Sequence, residues 1–98
     1  MAKFRKKPVV IDAIQYHGAA NVLEVLAFTG KADNFHDYFI NEAVFEAYVA
    51  ADPEQRFKVY TLEGTMIAKP GDWIIRGVSG EHYPCKPDIF AATYEAAE

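Results

Sequence analysis

The sequence is short of most residues on which common chemistries depend. It has one cysteine, Cys85, so no intrachain disulfide can form, which fits a reducing compartment. It has one serine, Ser79, set in the turn-like stretch Val78-Ser79-Gly80, and no GxSxG elbow to activate it. The glycine spacings of phosphate loops and dinucleotide folds are absent. No apolar run approaches the roughly 18 residues that cross a bilayer. The stretch Val9 to Ile14, which follows the basic start of the chain, is short and interrupted by Asp12. The expectation is therefore a cytoplasmic protein with no secretion signal and no membrane partner. His17, His36, His82 and Cys85 match no common zinc spacing, so neither a metal nor another cofactor is expected. Positive charge is also scarce. Ten Lys and Arg face 14 Asp and Glu, a net −4, which argues against binding nucleic acid through its phosphates.

What the chain does have is apolar and aromatic residues. They make up 51% and 14% of its 98 residues, ample for one folded domain spanning residues 1–98 and inconsistent with disorder. Charge is unevenly placed. Lys3, Arg5, Lys6 and Lys7 put four of the ten basic residues in the first seven positions. From Asp33 to Glu54 there are six acidic residues and no Lys or Arg.

The β-branched run within Pro8 to Tyr16 predicts a central or doubly covered strand. Asn21 to Thr29 predicts a helix with Asn21 as its N-cap, Glu24 in a capping-box position and Gly30 at its end. Asp33 to Tyr38 reads as a loop. Asn41 to Ala51 reads as a second helix, stopped by Asp52-Pro53. Phe57 to Leu62 and Thr65 to Lys69 alternate as a hairpin about Glu63-Gly64, and Pro70-Gly71-Asp72 turns into the strand Trp73 to Arg76. Glu81 to Cys85 runs back, Lys86-Pro87-Asp88 breaks it, and a last strand is expected from near Ala91. The expected fold is α+β: an antiparallel meander with two helices inserted after the first strand and packed on one face. The first strand, separated from the meander by both helices, is free to pair with the terminal one.

Arg5-Lys6-Lys7-Pro8-Val9-Val10-Ile11-Asp12-Ala13-Ile14-Gln15-Tyr16 resembles the opening of many short proteins encoded by bacteriophages and prophages. Pro70-Gly71-Asp72-Trp73-Ile74-Ile75-Arg76-Gly77, Gly80 to Phe90 and Thr93-Tyr94-Glu95 resemble their C-terminal signature. The resemblance implies phage origin and expression in bacterial cytoplasm. It implies no reaction and no catalytic residue, and residues 19–56 lie outside it.

Four constellations deserve weighing. Cys85 has only His82 near it in sequence, and residues three apart on a strand face opposite ways, so a buried thiol is the simpler reading. Asp12, Glu81 and Asp88 would suit a small hydrolase if they converged. An acidic helix surface at Asp37, Glu42 and Glu46 would suit docking onto a host protein. Arg76, Lys86, Tyr83 and Trp73, with Arg5 from the other end, have the types needed to hold a phosphate and stack a base. Their plainer role is a core Trp73 and Tyr83 with Arg76 and Lys86 reaching out from the sheet edge. The leading expectation is non-enzymatic capture of a small anionic host metabolite or signalling nucleotide by these five residues, at a subunit interface of a homo-oligomer. The alternative is a protein-interaction module, and a hydrolase comes third.

Overall fold

The computed structural model describes residues 1–5 and 7–97; Lys6, part of the expected basic edge, and Glu98 lie outside the described residues. The chain is α+β, as expected, with antiparallel pairing throughout. In order come β1 (Asp12–Gln15), α1 (Val22–Thr29), α2 (Phe35–Tyr38), α3 (Glu42–Ala51), β2 (Phe57–Thr61), β3 (Gly64–Ala68), β4 (Trp73–Arg76), β5 (His82–Cys85) and α4 (Pro87–Thr93). The strands form two sheets, a three-stranded one in the order β1-β4-β5 and the hairpin β2-β3.

Several expectations are corrected, and β1 is an edge strand of its sheet, not a central one. The first strand pairs with β4, Ile14 opposite Ile74, and not with the terminal element. That element is the helix α4: Pro87 sits in its first turn, where a missing N–H costs nothing, and Asp88 favours the positive helix start. The expected loop at 33–38 contains the one-turn helix α2, because Phe35 turns inward and is almost fully buried in the core. Strand pairing also begins later than expected. Pro8 to Ile11 lies outside β1 because β4 ends at Arg76, opposite Asp12.

Register partners share a sheet face, and successive residues alternate. Ile14, Ile74 and Pro84 therefore face one side, and Ala13, Ile75 and Tyr83 the other. Ile14 and Ile74 join Val22, Val25, Val49, Phe57 and Val59 in the core under α1 and α3. Trp73 lies on the opposite face and stacks on Phe90 of α4, ring centroids 4.1 Å apart and nearly parallel. It is half-buried, less than its place after a tight turn suggests.

Tyr16 joins the sheet to the rest. Its ring is fully buried, its hydroxyl donates to the Gln55 carbonyl at 2.5 Å, and its backbone pairs with Gly71 and Asp72. Burial, then the charge of Asp52, pushes its phenol up to about 12. Asn41 caps α3 by accepting from Val44 N at 3.0 Å. Asn21 precedes α1 without capping it through its side chain. Its amide instead clamps the turn after β1, accepting from His17 N and donating to Gln15 O. Gly64 and Gly71 have φ of 118° and 99°, as the two turns require.

Candidate functional site

Two of the three cations expected to hold an anion, Arg76 and Lys86, are already occupied. Arg76 lies on the helix-facing side of β4. It donates to the Phe28 carbonyl at 2.9 Å, sits 4.3 Å from the Phe28 ring centroid and pairs with Asp12 at 3.6 Å. Lys86 donates at 3.0 Å to Asp72, a nearly buried carboxylate that also accepts from Lys69 N. Trp73 and Tyr83 face the other side of the sheet, toward α4, and Arg5 is exposed ahead of β1. Trp73 and Tyr83 come together; Arg76, Lys86 and Arg5 do not join them.

The carboxylates are similarly dispersed. Asp12 and Glu81 border one groove, but Glu81 accepts from Ser79 N in its own turn, and Asp88 lies elsewhere, in the first turn of α4. His82 and Cys85 face opposite sides of β5, as their spacing implies. Burial, then Asp72 and Asp88, pushes the Cys85 thiol up, the wrong direction for a nucleophile at neutral pH. Among the described residues no three His, Cys, Asp or Glu gather as metal ligands. Among the same residues no helix is long and apolar enough to cross a membrane.

A different site lies mostly in residues 26–60, with Ile67 and His82 joining it from later strands. A cavity of about 660 Å³ opens between the end of α1, α2, α3 and the first residues of β2. Its wall is aromatic. Phe39 lies 5.0 Å from Phe45 and 5.2 Å from Tyr48, both edge-on, and Phe35 lies 5.6 Å from Phe45. The helices create this arrangement: Phe45 and Tyr48 are one turn apart on α3, and Phe35 and Phe39 flank the single turn of α2.

Two cations border the same cavity. Arg56 is held by Asp52, Nε to Oδ2 at 3.0 Å, with Glu54 at 3.5 Å. The bond from Arg56, followed by the backbone N–H groups of Arg56 and Glu54, pulls the Asp52 carboxyl down to about 2. Lys58 is exposed and makes no ion pair among the described residues.

His82 reaches this cavity from β5. Its ring packs edge-on against Phe28 at 5.6 Å. Its Nε2 is buried and has no hydrogen-bond partner among the described residues. Burial, then the neighbouring Arg76, lowers its pKa, so the ring is neutral at physiological pH. The aromatic density between Phe35 and Tyr48, five rings in that stretch, was the available sequence signal. Helical spacing makes such rings look like core; Phe35 is, Phe39 and Phe45 pack against it, and Tyr38 and Tyr48 are exposed.

No family model, curated protein or solved structure matches the chain. Fold and site define it as a small α+β domain with a ligand-sized aromatic cavity.

Proposed function

We propose that the protein is a non-enzymatic binding protein that captures a small, planar, anionic ligand of nucleotide type in the aromatic cavity. The observation that carries this reading is the cavity itself, within the range of roughly 300–1,000 Å³ typical of small-molecule sites, with ring faces and edges on one side and Lys58 on its border. The rings stack or edge-pack a flat heterocycle. Lys58 meets the anionic group, while the Arg56 fork beside it is donated to Asp52 and holds the end of α3. The neutral His82 offers a buried nitrogen to a polar group on the heterocycle. The expected ligand class is retained and its place moves away from Arg76 and Lys86, whose bonds hold the fold together. Phage origin and action in a host's cytoplasm belong to this proposal, on the strength of the resemblance at the two ends of the chain.

The test is calorimetric titration of linear and cyclic nucleotides into the wild type, Lys58→Gln and Phe39→Ala. Binding that weakens in both variants and with added salt supports the cavity. Binding by none of the nucleotides overturns it. A second reading, docking onto a host protein, draws on the apolar side chains exposed beside the cavity: Tyr38 is 73% exposed, Ile40 83% and Tyr48 64%. Asp37 and Glu46 lie on the same elements, as does Glu42, which is paired with Lys31.

A further inference from the structure

On the other face of the three-stranded sheet lies an open groove of about 950 Å³. Its floor is aromatic: Trp73 stacked on Phe90, Phe90 tilted against Tyr94 at 5.1 Å, and Tyr83 beside them. Asp12, Glu81 and Glu95 border it, Asp12 paired with Arg76 and Glu81 accepting from Ser79 N, and Lys7 is the one cation on it among the described residues. An aromatic floor with an acidic border suits a cationic segment that also presents a ring.

The chain contains such a segment. Residues 1–5 are fully exposed, Phe4 at 95%, and Phe4 stands between Lys3 and Arg5. Residues 7–10 are also exposed and precede the first strand, so the basic start of the chain is an arm outside the packed core. Residues 1–7 hold four of the ten basic residues and none of the 14 acidic ones. The rest of the chain therefore has six basic against 14 acidic residues, a net −8. The arm and the body are electrostatically complementary. The arm's own groove is not its seat in this structure, because residues from Lys7 to Ala13 line that groove and none of residues 1–5, all exposed, does.

We propose that residues 1–5 of one copy lie in the groove of a second copy, and reciprocally, so that two chains form a dimer by exchange of arms. Phe4 packs on the ring floor, and Lys3 and Arg5 meet the acidic border. Exchange of identical arms is self-complementary, so the assembly closes at two chains and does not grow into a filament. The charged border sets partner choice and speeds encounter, and burial of Phe4 supplies the apolar contact. This rests on the groove and the arm alone and is independent of the ligand cavity.

Sedimentation equilibrium of the full chain tests it. The expected mass is twice that of one chain, shifting toward one chain as salt is raised. Two variants sharpen the result: one with Lys3→Glu and Arg5→Glu, the other with Glu81→Lys and Glu95→Lys. Each alone is expected to be monomeric, because arm and groove then carry like charge. Mixed, they are expected to form a dimer of one chain of each, because each arm then meets a groove of opposite charge. A wild type that stays monomeric up to millimolar concentration overturns the proposal. So does a dimer that survives the arm reversal unchanged, or an assembly of any other size.

Discussion

The two ends of the sheet system treat their positive charges in opposite ways. Along β4 and β5, Arg76 and Lys86 are bound to the protein itself: one spans Phe28 and Asp12, the other neutralises the buried Asp72. Along β2, Lys58 projects to the cavity border with no carboxylate partner among the described residues. All three look alike in sequence, a cation on or just after a short strand and within three residues of an aromatic one. The difference is made by what the fold brings opposite each one. A cation with partners in the fold, the buried Asp72 for Lys86 and the Phe28 carbonyl and ring for Arg76, holds the structure together, and a cation without them is available to a ligand.

That contrast breaks most visibly at Lys86. Lys86→Met leaves the Asp72 carboxylate nearly buried with only the Lys69 N–H, and a loss of about 2 kcal/mol in chemical denaturation is expected. Adding Asp72→Asn should return part of that loss, since an amide needs no counter-charge. A Lys86→Met variant as stable as wild type would mean that this cation is free, and the contrast with Lys58 would fall. The turn that presents Asp72 comes next. Gly71→Val forces a β-branched residue to φ near 99°, and Gly64→Val does the same near 118° in the hairpin. Each should cost about 1.5 kcal/mol. Unchanged thermal midpoints would remove both turn assignments.

The sequence shows these turns because each is written in adjacent residues. The same holds for α3, where Asn41 caps and Asp52-Pro53 stops the helix within a dozen positions. What it does not show is which strands meet. Alternation marks Ile14 and Ile74 as facing a core, but nothing local says that β1 lies against β4. The terminal helix was hidden for a related reason: Lys86-Pro87-Asp88 breaks a strand and starts a helix with the same residues. The cavity is the least legible feature. Its walls come from α1, α2, α3, β2 and β5, and their convergence is a property of the packed chain. Of the five residues expected to form a site, Trp73 and Tyr83 share a face, while Arg76, three residues from Trp73 on β4, faces the opposite side.

The binding experiment sharpens the comparison by separating the two kinds of cation. Arg76→Ala removes a cation–π contact, a carbonyl bond and an exposed ion pair, so about 1 kcal/mol of stability should go. Nucleotide affinity should barely change. Lys58→Gln should do the reverse, with stability within about 0.5 kcal/mol of wild type and affinity down about tenfold, or roughly 1.4 kcal/mol. Equal losses of affinity in both variants would show that the ligand sits nearer β4 than the cavity.

The smallest expected effect concerns His82, which belongs to both regions: it lies beside Arg76 on the sheet and borders the cavity that Lys58 borders. Burial and the Arg76 charge lower its pKa below the ordinary value of 6.5. The unfolded chain therefore takes up a proton on this residue at a higher pH than the folded chain does. Stability from this group is present in full above 6.5 and declines as pH falls through the window below it. The strongly depressed Asp52 titrates near 2 and contributes no slope in that window. The thermal midpoint should fall modestly between pH 7.5 and 5.5, and His82→Phe should flatten that slope without abolishing the fold. Ligand binding adds a second readout. A group that donates to the neutral Nε2 would hold His82 unprotonated, so affinity should weaken over the same pH interval in wild type and not in His82→Phe. A midpoint that rises as pH falls would mean that protonated His82 has a partner in the fold, and Nε2 would then be spoken for before any ligand arrives.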